Sequence, residues 1–331
     1  MRCAIIGAGA WGSALADLLA RNGHDVALWA REPEVVTSVN AQHENTMFLA
    51  GATLHEKVVA CGELASACTG AELVLFATPS HVLRGIARDA APAVAINATI
   101  VVATKGLERE TLAVMSDVLA QQFPSHAIVA LSGPSFAAEV VARQPTAVVA
   151  ASSSASAAGM VQRALSGDEF RVYTHDDVIG VELGGALKNV IAVATGIAEG
   201  LGMGFNARAA LITRGLAEMT RLGVKMGASP LTFAGLAGMG DLVLTCTGAL
   251  SRNRSLGVEI ARGVSLDAAL ATRHTVAEGV MTTHSARALA AREGIEMPIV
   301  RAVYRILFEH QPPRAAISEL MRRELRAEGD T

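Results

Sequence analysis

The sequence predicts an α/β domain followed by an all-helical one, and three observations carry that prediction. Short, continuous apolar runs alternate with helix-like stretches from Met1 to about Val172. Strand-like runs nearly vanish after about His175. A GxGxxG turn joins the first apolar run to the first helix. The 331 residues, 51% of them hydrophobic, suffice for two packed cores and exclude a disordered chain. A net charge of −3, with the charges interspersed, speaks against a nucleic-acid binder.

In chain order, the expected strands are Cys3–Ile6, Val26–Trp29, Leu73–Ala77, Ile100–Ala103, Ile128–Leu131, Ala147–Ala151 and Phe170–Tyr173. Helix-like stretches such as Trp11–Ala20, Val82–Ala90 and Leu112–Gln121 lie between them. Continuous apolar strands alternating with helices point to a parallel sheet covered on both faces. Further on, 177–198, 206–222, 252–262, 265–271, 282–293 and 299–309 read as helices punctuated by Gly or Pro. The expected division is therefore residues 1–176 and 177–331.

Gly7-Ala8-Gly9-Ala10-Trp11-Gly12 follows a strand and opens an apolar helix, the context a dinucleotide-binding turn requires. Gly7 permits the tight turn, Gly9 lets the backbone approach a pyrophosphate, and Gly12 allows close helix–strand packing. The first domain is thus expected to be a Rossmann-type dinucleotide-binding domain. After the second strand the chain reads Trp29-Ala30-Arg31-Glu32. Arg31 suits the 2′-phosphate of NADP and tilts the reading toward NADPH, while Glu32 keeps NAD open.

Further groups with chemistry stand at strand and helix ends. Thr78-Pro79-Ser80 follows one strand, and Thr104-Lys105-Gly106 follows another, where a lysine can reach a phosphate or a substrate oxygen. Ser132-Gly133-Pro134-Ser135 offers backbone donors and hydroxyls, although Ser135 equally suits a helix N-cap. Of the 28 basic residues only Lys57, Lys105, Lys188 and Lys225 are lysines, so a lysine in an apolar segment is a marked choice. Lys188 is the sole cation between Val178 and Glu199. A buried ammonium must be paired, or must serve as an acid/base group with a lowered pKa. Asp241 supplies a carboxylate beside a glycine-rich turn. Ser251-Arg252-Asn253 opens a helix as a candidate anion site, with Arg252 or Arg254 as alternative surface charges.

Met1–Ala20 superficially resembles a signal peptide, but Gly7, Gly9 and Gly12 interrupt its apolar stretch, and none is expected. No later run reads as a membrane span. Cys3, Cys61, Cys68 and Cys246 show no metal-site spacing and read as reduced thiols, so no metal is expected.

The segments GAGAWGSALA (7–16), KGLE (105–108), LSGPSFAAEV (131–140), ELGGALKNVIAVATG (182–196), AGMGDLVLTCTGALSRNRSLG (237–257) and VAEGV (276–280) together resemble bacterial NAD(P)-dependent sn-glycerol-3-phosphate dehydrogenases, over nearly the whole chain. The resemblance implies reduction of dihydroxyacetone phosphate to sn-glycerol 3-phosphate for glycerophospholipid synthesis, by a cytoplasmic homodimer. It assigns proton transfer to Lys188. It assigns substrate contacts to Lys105, Gly133, Ser135, Lys188, Asp241, Ser251, Arg252 and Asn253. Cofactor contacts fall on Trp11, Arg31, Lys105, Ala137, Arg252, Val276 and Glu278, beside Gly7, Gly9 and Gly12 of the turn. Phe48 stands where the family usually has Tyr; it can stack on a ring but lacks the hydroxyl. Ala50 replaces a stiffening Pro, and Gly248 replaces a Ser. A β-hydroxyacid or 6-phosphogluconate-type dehydrogenase, and a non-catalytic NAD(P)-sensing protein, are the alternatives.

Overall fold

The first apolar run becomes β1, Arg2–Ile6, whose last four residues are fully buried. A strand buried on both faces lies inside a sheet covered on both sides. The computed structural model describes residues 1–271, 278–325 and 327, and the chain divides into two units. The first comprises Met1–Lys105 and Val114–Val178, the second Gly106–Ala113 and Ile179–Thr331. The expected division placed 106–113 in the first domain. In the structure this segment groups with the second, where Arg292 Nη1 donates to the Thr111 carbonyl at 3.3 Å.

The first unit holds an eight-stranded sheet ordered β3-β2-β1-β4-β5-β6-β7-β8. The strands are β1, β2 (Asp25–Trp29), β3 (Val58–Cys61), β4 (Leu73–Phe76), β5 (Thr99–Val102), β6 (Ile128–Ser132), β7 (Thr146–Ala151) and β8 (Phe170–His175). Helices α1 (Ala10–Arg21), α2 (Pro33–Gln42), α3 (Leu64–Cys68), α4 (Leu83–Ala90), α5 (Met115–Gln122), α6 (Ala137–Val141) and α7 (Ala155–Leu165) connect them. Leu15, Leu19, Leu28, Leu73 and Leu75 are fully buried in its core, each stabilising the fold by roughly 1.5–3 kcal/mol. The chain leaves β1 toward β2 and β3, then returns to place β4 on the other side of β1. The ends of β1 and β4 therefore flank the topological switch point, where open α/β sheets bind ligands.

Three features differ from the sequence reading. The edge strand β3 was not anticipated, because it is only four residues long and is defined by its pairing with β2. The sheet is mixed: β6 and β7 are antiparallel, because the connection through the five-residue α6 re-enters the sheet at the end where β6 leaves it. The helix expected from Leu112 begins at Met115, since Leu112 adopts the left-handed region at φ 61°.

The second unit is helical: α8 (Val178–Gly200), α9 (Phe205–Lys225), α10 (Pro230–Ala234), α11 (Asp241–Thr247), α12 (Arg252–Ala261), α13 (Leu266–Ala271), α14 (Glu278–Glu293), α15 (Pro298–Phe308) and α16 (Pro313–Met321). A π-turn over Leu236–Gly240 leads directly into α11. Residues 180–198 of α8 are all buried, so its nearly all-round apolarity reflects a position at the centre of this unit. It is the one described helix long and apolar enough to cross a membrane, and 89% of its apolar window is buried inside the protein. Glu218 of α9 is also buried; its carboxylate accepts from the Ile299 and Val300 N–H groups at 2.7 and 3.3 Å and so caps α15.

Candidate active site

In the first unit, Gly7 ends β1 with φ +113°, a conformation that needs glycine. A Cβ there would lie 3.0 Å from the Ala77 carbonyl and from Thr78 Cγ2, and one on Gly12 would collide with the Gly7 carbonyl oxygen. Around a Cβ on Gly9, by contrast, there is nothing within 4 Å. The turn is thus closed where packing needs it and open where a ligand approaches. Helix α1 has no acidic residue in its first turn and no side-chain cap, which leaves its positive N-terminus for an anion. Trp11 Nε1 and Thr78 Oγ1 are buried polar atoms that no protein group satisfies. These features fit a dinucleotide pyrophosphate.

A residue the sequence reading missed holds this turn. Asn45 is fully buried; its Nδ2 donates to the Ala8 carbonyl at 2.7 Å and to Ser13 Oγ at 2.8 Å. Its Oδ1 accepts from the Phe48 N–H at 3.0 Å, which ties Phe48 to the same turn. Phe48 packs against the core of this unit, and Gly51 N–H donates to Glu44 at 2.7 Å, so the turn is held without the family's proline. Asn45 carried no motif signal of its own, because its role depends on long-range contacts.

Arg31 is 79% exposed and pairs with Glu32, donating from Nε at 3.0 Å and Nη2 at 2.7 Å to one oxygen. Lys105 Nζ donates to the Gly133 carbonyl at 3.2 Å. Ser135 Oγ donates to that carbonyl at 3.0 Å, and Phe136, not Ser135, stands at the N-cap of α6, so the capping alternative for Ser135 falls. Gly133 has φ +145°, and a Cβ there would come within 2.9 Å of Val148 Cα. Ala137 is the first residue of α6. Lys105, Gly133 and Ser135 therefore form one cluster.

In the second unit, Lys188 and Asp241 come together from α8 and the first residue of α11. Nζ donates to Asp241 Oδ1 at 2.6 Å and to Thr245 Oγ1 at 2.8 Å. The two charged side chains are 9% and 1% exposed. Thr245 donates its own proton to the Asp241 backbone carbonyl at 2.6 Å, so a lone pair faces Lys188. Thr245 escaped the sequence reading because Asp241 looked like a turn residue; on a helix, residues 241 and 245 share a face. Beside them, Asn253 Nδ2 donates to Asn189 Oδ1 at 2.9 Å, and Asn253 Oδ1 accepts from Gly279 N–H at 3.0 Å. Glu278, the preceding residue, opens α14 there. Ser251 caps α12 by accepting from Arg254 N–H at 3.3 Å, and Arg252 is exposed in its first turn. Arg254 is no free surface charge: its Nη1 donates to both carboxylate oxygens of Glu199, at 2.7 and 2.5 Å. Val276 lies outside the described residues.

All four cysteines are free; burial pushes the Cys3 and Cys246 thiols up to about 12, which makes them poor nucleophiles. Among the described residues no group of His, Cys, Asp and Glu has the arrangement of a metal site.

A dinucleotide turn at the sheet's switch point, followed by a helical unit with a buried lysine–carboxylate pair, defines the class: a Rossmann-type dehydrogenase. Residues 2–158 match the family profile described as NAD-dependent glycerol-3-phosphate dehydrogenase N-terminus, and 177–318 match its C-terminus. The chain belongs to that family. It is 54% identical over 331 residues, 99% of each chain, to a glycerol-3-phosphate dehydrogenase [NAD(P)+] of Citrifermentans bemidjiense. It is 52% identical to the enzyme so named from Syntrophotalea carbinolica, covering both chains completely. The crystal structure of glycerol-3-phosphate dehydrogenase from Coxiella burnetii matches 97% of this chain and 98% of its own with a TM-score of 0.94, at 41% identity.

Proposed function

We propose that this protein reversibly reduces dihydroxyacetone phosphate to sn-glycerol 3-phosphate with NADH or NADPH. The buried Lys188–Asp241–Thr245 cluster carries this reading, because it presents a proton donor with its charge compensated and its position fixed. Membership of a dehydrogenase family disfavours the non-catalytic sensing alternative, and the family's named substrate disfavours the β-hydroxyacid one.

The nicotinamide, when bound, supplies the hydride for C2 of the substrate. Lys188 then gives a proton to the carbonyl oxygen as negative charge develops on it, and takes that proton back in the reverse direction. Asp241 offsets the ammonium's charge before transfer, and Thr245 holds Nζ in place. Ser251, Arg252 and Asn253 recognise the glycerol phosphate, Arg252 by its charge at the N-terminus of α12. Lys105, Gly133 and Ser135 complete substrate recognition. Gly7, Gly9, Trp11, Gly12, Arg31, Phe48, Lys105, Ala137, Arg252, Val276 and Glu278 hold the cofactor. The product would feed glycerophospholipid synthesis, in the cytoplasm, from a homodimer.

Steady-state kinetics with NADH and NADPH side by side, on dihydroxyacetone phosphate and on a panel of β-hydroxyacids, test the proposal. Turnover confined to the β-hydroxyacids would overturn it.

A further inference from the structure

We infer that Glu199 is a positioning residue for phosphate recognition, acting through Arg254 on the first turn of α12. The inference rests on the proposed role of Ser251, Arg252 and Asn253. It concerns a part of the second unit to which that proposal gives no task.

Helix α12 lies against α8 with almost no side chain between the backbones. A Cβ on Gly196 would collide with the Arg254 carbonyl oxygen, and one on Gly257 with the Val193 carbonyl oxygen. A Cβ on Gly200 would come within 2.7 Å of the Val258 carbonyl oxygen. Such a glycine seam brings two helices close but provides few knobs to stop one sliding along the other. Polar clamps supply the register. One is Asn189 with Asn253 at 2.9 Å. The other is Glu199, near the C-terminal end of α8, with Arg254. Asn189 and Glu199 stand about 15 Å apart along α8 by the helical rise, yet they grip adjacent residues of α12.

Arg254 has a second duty. Its Nε donates to the Gly248 carbonyl at 3.2 Å, at the end of α11, the helix that carries Asp241 and Thr245. One guanidinium therefore joins the ends of three helices, and Glu199 supplies the negative charge that orients it. Arg208, on α9, donates from Nη2 to Glu199 Oε2 at 2.9 Å and shares that oxygen with Arg254. Without the Glu199 charge, Arg254 loses the carboxylate that anchors its Nη1, and the residues just before it lose part of what fixes their direction. The loss should fall on the phosphate, since Ser251, Arg252 and Asn253 precede Arg254 directly.

The test compares dihydroxyacetone phosphate with unphosphorylated dihydroxyacetone in the full-length enzyme. For Glu199→Gln, KM for the phosphorylated substrate should rise about tenfold, with kcat within about threefold of the parent. kcat/KM for dihydroxyacetone should stay within about twofold. Glu199→Asp should recover part of the loss, and Arg208→Ala should change KM less than about twofold. An unchanged KM in Glu199→Gln, or an equal loss on both substrates, overturns the inference while leaving the proposed function intact. Arg252→Ala separates the two: if it too leaves KM for the phosphorylated substrate unchanged, the phosphate-site reading itself fails.

Discussion

Lys188 and Asp241, 53 positions apart in the chain, form a buried ion pair at 2.6 Å. Taking two charges out of water is costly, so such a pair is weak support for stability by itself. Its presence at the centre of an apolar unit is better explained by chemistry than by folding energetics.

Removal of the ammonium should reveal both roles. Lys188→Ala should lower kcat by about 10²–10⁴-fold and leave the cofactor Kd, read by quenching of tryptophan fluorescence, within about twofold. It should also destabilise the fold by about 3–5 kcal/mol, because Asp241 is left buried and uncompensated. Lys188→Ala combined with Asp241→Asn should regain much of that stability without activity. Near-parental turnover in either variant would remove Lys188 from catalysis.

The two outer glycines of the turn and the middle one should respond differently. Gly12→Ala should fail to fold normally, since the new Cβ meets the Gly7 carbonyl. Gly9→Ala should fold with a Tm within about 2 °C of the parent, because nothing lies within 4 Å of the added carbon. Its cofactor Kd should nevertheless rise at least tenfold, as the methyl fills space intended for the pyrophosphate. Unimpaired cofactor binding by a well-folded Gly9→Ala would refute this assignment.

Cofactor preference should turn on the Arg31–Glu32 pair. An exposed ion pair is weak, so a 2′-phosphate can take Arg31 from Glu32 at little cost. Arg31→Ala should raise KM for NADPH about tenfold and leave that for NADH within twofold. Glu32→Gln should shift the ratio toward NADPH. Equal effects on both cofactors would place Arg31 outside the 2′-phosphate site.

Stability should fall with rising pH through Glu218. Burial pushes its carboxyl from an ordinary 4.5 up to about 7, against the lowering influence of the Ile299 and Val300 N–H groups and of Arg221 and Arg323. Between those values the folded chain holds a proton that the unfolded chain has released. The slope of unfolding free energy with pH is therefore negative there. The stabilisation is complete below about 4.5 and lost by the time pH passes 7, a change of roughly 3 kcal/mol. Denaturant titrations between pH 5 and 8 should show the decline superimposed on other groups, and Glu218→Gln should flatten it. An identical pH profile in that variant would exclude Glu218 as its source.

Much of the first unit was legible because its signals are local. Cys3–Ile6 is a short continuous apolar run followed at once by glycine, the pattern of a strand buried on both faces. Val58–Cys61 was not legible: a four-residue edge strand borrows its definition from β2, to which it pairs. The direction of β7 was likewise hidden, since Thr146–Ala151 is buried over its last four residues and so reads as continuously apolar as the parallel strands. Around the candidate site, Asp241 was recognised but its helix was not. Gly238-Met239-Gly240 has the composition of a loop, yet its backbone forms a π-turn that continues into α11. Thr245 was lost with that helix. Asn45 and Glu199 were lost for a different reason, as each acts only through partners remote in the chain.

The amino-acid order alone determined where backbone must be bare, at Gly7, Gly9 and Gly12, and where a cation must be buried, at Lys188. Both follow from steric and hydrophobic demands felt within one helical turn or one strand. Tertiary structure alone decided which carboxylate meets that cation and which hydroxyl steadies it. It alone decided that Arg254 answers to Glu199 rather than to solvent. Those choices depend on how helices seat against one another, and seating is set by side chains and glycine gaps contributed from distant segments at once.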